Sequence, residues 1–289
     1  VGIKGSFSLS KSIWSVTFKI LAKHPRLLLP FFITALFEGV ALTALFYFPR
    51  FPLSIIFAPP IRAFFGARFL HYPSNFILLP QLFYYAQVLV TMTLGVVMYG
   101  VAMGMVYQAH TEGEKIKIFG NLNRSLRRYM TLAGIWLITF ITSLIILRGP
   151  RFLIFKFLPP TTLFKILLQI FFYGGIVLIF LIEALFIYAY PAIIIERRNF
   201  FSAIKRSFGI SRGVFLTTFT LIVVPRILDF VVMMLNQNTV RLMNLTLPEI
   251  ALVILAVGVA VTFITDSLVF LTTANLFVLT KETEKEPRP

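Results

Sequence analysis

Cysteine is absent from this sequence, and acidic residues are scarce, with 11 Asp and Glu against 27 Lys and Arg. The first absence excludes disulfides, thiolate metal sites and thiol nucleophiles, without fixing a compartment. Charge of either sign is thin: 13% of residues are charged, about half the proportion in soluble domains. The three histidines, His24, His71 and His110, are too dispersed for a metal site, and no His-Glu-x-x-His occurs. A Gly-rich phosphate loop ending in lysine is also missing, so ATP hydrolysis would need a partner. Asp229 and Asp266 have the residue type of an intramembrane aspartyl pair, but neither sits in a Gly-x-Gly-Asp context. From these gaps we expect no enzyme, no catalytic residue, no metal and no cofactor.

What is present is apolar. Hydrophobic residues make up 58% of the chain and the mean hydropathy is +0.89, against about 45–50% apolar residues in soluble domains. A soluble chain of this kind could not cover its surface. The 33 phenylalanines suit lipid-facing surface and aromatic belts. The expected class is therefore an all-α polytopic membrane protein. A net charge of +16 would suggest nucleic acid in a soluble protein. Here it is better read as topology plus attraction to anionic phospholipid, at about 1 kcal/mol per near-surface cation. No nucleic-acid partner is expected.

Six runs reach or approach the ~20 residues needed to cross a bilayer core: 27–48, 81–109, 130–147, 163–195, 214–235 and 249–280. The first is too long for a cleavable signal and lacks a small-residue cleavage site, so it is expected to be retained. Residues 49–80 are broken by Pro52, Pro59, Pro60 and Pro73 and closed by Pro80, which predicts an interfacial or re-entrant hairpin, with a brief helix over 61–70. Gly100 and Gly104 form a Gly-x-x-x-Gly pair that permits close helix approach. The tail, 281–289, is expected to be disordered.

Three basic amphipathic segments each precede a pair of spans. In 7–23, Trp14, Thr17, Phe18 and Leu21 share a face, with Lys11, Lys19 and Lys23 off it. In 115–129, Ile118, Phe119, Leu122, Leu126 and Tyr129 face away from Arg124, Arg127 and Arg128. Within 190–213, Phe200, Phe201, Ile204 and Phe208 form an arc, with Arg197 and Arg198 in a charged hinge and Arg198, Lys205 and Arg206 off the arc. Such helices lie in a membrane interface or pack on their own bundle, and the pattern alone fits both. Arg124-Ser125 and Arg206-Ser207 occupy matching places, which suggests one transmembrane domain, 1–280, built of three tandem units, 6–109, 114–195 and 197–280. Eighteen of the 27 basic residues fall in 1–26, 110–130, 195–213 and 281–289. That excess places both termini and all three amphipathic helices in the cytoplasm.

Five ionisable residues fall deep within the runs, counted from their cytoplasmic ends: Glu38, Glu183, Arg226, Asp229 and Asp266. Each lies about three turns or more into its helix. Charges there are costly and face the bundle interior. Arg226 and Asp229 are spaced to pair, and Pro225 is expected to kink the fifth span. The group reads either as a polar cavity for a proton, ion or headgroup, or as polar side chains that hold helices together.

The stretch from Tyr190-Pro191 through Glu196, Ala203-Ile204-Lys205-Arg206-Ser207 and Arg212-Gly213 resembles a set of prokaryotic integral membrane proteins. These include the membrane domain attached to some glycerophosphodiester phosphodiesterases. The resemblance implies a six-span module of the plasma membrane; the phosphodiesterase domain itself has no counterpart here. The expectation is a non-enzymatic membrane subunit or scaffold in lipid or envelope handling, with a membrane-protein complex partner. The alternative is a transporter with a midplane site around Glu183, Arg226 and Asp266. Intramembrane hydrolysis ranks third.

Overall fold

The computed structural model describes residues 3–111, 116–157 and 161–285. The fold is all-α, with no strand among the described residues. The helices are α1 (Ile3–Lys23), α2 (Leu29–Phe46), α3 (Ser54–Phe64), α4 (Ser74–Val90), α5 (Val96–Thr111), α6 (Ile118–Arg127), α7 (Tyr129–Phe157), α8 (Thr162–Phe186), α9 (Ala189–Ile194), α10 (Phe200–Gln237), α11 (Thr239–Leu245) and α12 (Ile250–Lys285). Six stretches are long and apolar enough to cross a membrane: Pro25–Phe46, Ser74–Thr111, Tyr129–Phe157, Thr162–Ile194, Phe200–Gln237 and Ile250–Glu284. The chain is a multi-pass membrane protein.

Several boundaries differ from those expected. The second span begins at Ser74 rather than at residue 81, because α4 runs through Pro80. A π-helical turn, Thr91–Gly95, then joins α4 to α5. Pro59 and Pro60 lie inside α3, and the expected helix over 61–70 is instead the end of α3 plus a 3-10 turn, Ala67–Leu70. The break falls at Gly66, whose φ of 99° is left-handed and open only to a residue without a Cβ. At 11 residues α3 is too short to span.

Helix α7 continues past residue 147 to Phe157, so Arg148, Arg151 and Lys156 sit on a helix rather than in a connecting loop. Cation–π contacts favour this extension: Arg151 lies 5.6 Å from the Phe155 ring centroid and Lys156 lies 5.5 Å from that of Phe157. In α10 the departure from helical dihedrals is at Val214 (φ −128°, ψ 25°) and not at Pro225. Val214 is β-branched and follows Gly213, so helix propensity is lowest where the amphipathic segment passes into the apolar run. The tail expected to be disordered is helical as far as Lys285. An ion pair from Glu284 to Arg206 holds it, and residues 286–289 lie outside the described part. The segment expected over 115–129 likewise begins outside it, at residue 115.

The chain folds into two compact units. The first draws on Val1–Leu27, Tyr99–Val224 and Val269–Pro289, the second on Leu28–Met98 and Pro225–Leu268.

In the first unit, three amphipathic elements dock in a regular way. Ser125 and Asn121 of α6 press on α5 at Gly100 and Gly104. A Cβ at Gly100 would lie 2.7 Å from Ser125 Oγ, and one at Gly104 closer still to Asn121 Oδ1. On α10, Ser207 and Ser211 donate to the carbonyls of Leu185 and Ala184 on α8. On α1, Thr17 Oγ1 accepts from Asn275 Nδ2 of α12 at 2.8 Å. Each amphipathic element thus docks on α5, α8 or α12, the last long helix of one of the three expected units. Those last spans also supply an aromatic trio. Tyr99 stacks on Phe270 with centroids 4.0 Å apart, and Tyr190 meets both rings edge-on at 6.2 and 5.6 Å.

The second unit centres on Leu42, Leu45, Phe76, Leu79, Phe83, Met243, Ala251 and Leu255, drawn from α2, α4, α11 and α12. Beside it, Phe48, Ile61 and Leu78 anchor the short α3.

Candidate functional site

Four of the five expected intramembrane ionisable residues lie in the second unit. Arg226 Nη1 bonds to Asp229 Oδ2 at 2.9 Å along its own helix. The same nitrogen bonds to Asp266 Oδ1 of α12 at 2.8 Å. Thr265 Oγ1 donates to the other Asp229 oxygen at 3.0 Å. Gln87 Nε2 of α4 donates to Glu38 Oε2 of α2 at 3.2 Å, and Glu38 is close enough to Asp266 for the two to interact electrostatically. Glu183 is not among them: it lies half-buried on α8 in the first unit.

Lone charges at a helix centre each cost about 2.5–3.5 kcal/mol on insertion scales. One guanidinium shared by two carboxylates offsets part of that cost and ties α10 to α12. Gln87 and Thr265 were missed by reading charges alone; the usable signal is an uncharged polar residue inside an apolar run, one carrying an amide and the other a hydroxyl. Among the described residues, no group of three or more His, Cys, Asp or Glu is placed to hold a metal ion.

In the first unit the buried polar residues are uncharged. Tyr188 and Thr218 share a buried hydrogen bond. Gln108 Oε1 accepts from Asn121 Nδ2 at 2.8 Å and from the Lys117 amide at 3.0 Å. His110 Nε2 meets Asn275 Oδ1 at 2.9 Å, extending the link from Asn275 to Thr17.

The amphipathic elements turn small polar residues, not rings, towards this core. Ser6, Ser10, Ile13 and Thr17 are the buried side of α1, while Phe7 and Phe18 are exposed. Asn121 and Ser125 are buried on α6, while Phe119 is 85% exposed and Leu126 and Met130 are also exposed. On α10, Ala203, Ser207 and Ser211 are buried and Phe201 is 82% exposed. Its apolar arc divides: Phe200 packs where a Gly134 Cβ would be, and Phe208 lies 5.2 Å edge-on from Phe186.

The cations of the rim fall into two groups. Arg206 pairs with Glu196 and with Glu284, and Arg198 pairs with Glu196. Arg127, Arg197 and Lys205 are exposed, whereas Arg124 and Arg128 are half-buried. Arg197 adopts φ 56°, the left-handed region, at the tight turn between α9 and α10.

No family model matches the chain, and comparison with curated proteins and with solved structures found no match.

Proposed function

We propose that the protein is a non-enzymatic membrane subunit or scaffold in lipid or envelope handling, set in a prokaryotic plasma membrane with both termini cytoplasmic. Its basic amphipathic elements hold anionic lipid or a partner membrane protein. One observation carries this reading: Phe7, Phe18, Phe119, Leu126 and Phe201 are exposed beside Lys11, Lys19, Arg127, Arg197 and Lys205, while the opposite faces are docked through serine, threonine and asparagine. A helix that packs only on its own bundle would bury its rings. Rings in the acyl boundary with cations at headgroup level is how an interfacial helix binds.

The test uses Trp14→Phe, Trp136→Phe protein carrying Phe119→Trp or Phe201→Trp, reconstituted with chain-brominated phosphatidylglycerol or phosphatidylcholine. Stronger quenching by the anionic lipid, lost on Arg127→Gln with Lys205→Gln, supports the reading. Equal quenching by both lipids, or none, opposes it.

Transport through a midplane site is the second reading, and the Arg226, Asp229, Asp266 and Glu38 cluster is what favours it. We rank it lower because Arg226 is bonded to both aspartates and α10 keeps helical dihedrals at Pro225.

A further inference from the structure

The second unit carries a feature unrelated to the basic rim: an apolar groove of about 820 Å³ between α2 and α12. Small residues make the concavity, with Ala35, Gly39 and Ala44 on one wall and Ala256 and Ala260 on the other. The edge-to-face pair Phe32 and Phe263, with centroids 6.4 Å apart, stands at one end. Tyr47 and Leu53 stand at the other. The wall is chemically dry, since Thr43, its hydroxyl-bearing aliphatic residue, donates to the Gly39 carbonyl of its own helix at 2.8 Å. From Phe32 to Tyr47 the groove follows α2 for about 22 Å at 1.5 Å per residue. That exceeds one leaflet's share, about 15 Å, of a ~30 Å hydrocarbon core.

The Tyr47 end is charged. The Arg50 guanidinium lies 5.5 Å from the Tyr47 ring centroid. Arg50 is exposed and has no carboxylate partner among the described residues. A guanidinium above the ring and open to the outside keeps N–H groups able to donate two parallel bonds to a phosphate.

We propose that this groove is a binding site for one molecule of anionic phospholipid, with an acyl chain along α2 and α12 and its phosphate on Arg50. The occupant is a lipid and not a helix of a partner protein. An acyl chain fits an apolar groove in which alanine and glycine alternate with Leu36, Val40 and Val259, and a cation at one end complements an anionic head at the end of such a chain.

The experiment is native mass spectrometry of full-length protein released from vesicles of mixed phosphatidylglycerol and phosphatidylcholine into mild detergent. A Cβ at Gly39 meets no atom within 4 Å, so Gly39→Leu puts a branched side chain into the groove from an open position on α2. We expect it to lower retention of both lipids. Arg50→Gln should lower retained phosphatidylglycerol about tenfold and spare phosphatidylcholine, as loss of a charge-assisted bond would. Unchanged retention in a Gly39→Leu protein that melts like wild type overturns the site. Because Arg50 is exposed, Arg50→Gln decides the headgroup even if Gly39→Leu does not fold, and an unchanged lipid preference overturns the proposal. In an Arg127→Gln, Lys205→Gln background, which removes rim cations and leaves Arg50, the lipid still retained should remain sensitive to Gly39→Leu and Arg50→Gln, so the groove and the rim fail independently; loss of that sensitivity overturns the groove site.

Discussion

In the second unit a guanidinium deep in the spans meets two carboxylates, while in the first the helices are joined by hydroxyls, amides and a half-buried imidazole, and its own shared guanidinium, Arg206, lies in an amphipathic segment beside the exposed Glu284. Both arrangements join helices in an apolar medium, but they differ in what happens when one member is removed. A carboxylate deprived of Arg226 is left as an unpaired charge, which costs about 3–5 kcal/mol in a buried pair. A carbonyl deprived of a serine hydroxyl, such as that of Ala184 or Leu185, is left as a neutral dipole and not as a charge. Interhelical bonds of that neutral kind average about 0.6 kcal/mol, with a maximum near 1.7. The charged unit is therefore the more brittle, and the neutral unit spreads its cohesion over many weak links.

The sharpest way to break the contrast is Arg226→Ala, which should lower unfolding free energy in detergent by about 3–5 kcal/mol. Neutralising the set together, with Arg226→Met, Asp229→Asn and Asp266→Asn, should recover most of that loss. If the triple variant is as unstable as the single one, shared charge is not what makes this unit brittle.

Gly104→Ala should come next. Its methyl must displace Asn121, which is already bonded to Gln108 and to the Lys117 carbonyl, at about 1–3 kcal/mol by thermal melting. Phe208→Ser should cost about 1–2 kcal/mol through its ring contact with Phe186. Phe201→Ser should change stability by less than about 0.5 kcal/mol and weaken only lipid contact. A large stability loss at Phe201 would mean that its ring packs against protein. Comparably small, Glu284→Gln should cost about 0–1 kcal/mol and lose its effect at high salt, because the Glu284 side chain is half exposed.

The six spans were legible because length and apolar composition suffice to find them, and Arg226 with Asp229 could be paired from spacing alone. Asp266 could be placed near them only as another charge that has to avoid lipid. Its contact with Arg226 joins residues 40 apart in sequence, which no local pattern encodes. The amphipathic wheels marked the right segments but left open whether the ring face meets lipid or the bundle, and gave no sign that small polar residues would make the docking face. Ser125 and Ser207 are fully buried, because a small side chain lets two backbones approach, and at Ser207 the hydroxyl also finds the Leu185 carbonyl, whereas a phenylalanine can stay in lipid at no cost. Helix ends were least legible. Pro80 does not end α4, Pro150 does not end α7, and Glu284 extends α12 by an ion pair to a residue 78 positions away.

The central claim is that the intramembrane charges hold helices together and that the working surface lies on the basic rim. Proton flux into liposomes tests it most directly, comparing empty vesicles, wild-type protein and the triple variant Arg226→Met, Asp229→Asn, Asp266→Asn. The account predicts that wild-type vesicles leak no faster than empty ones and that the folded triple variant does not differ from them. A flux carried by wild type and abolished in a folded triple variant would contradict it.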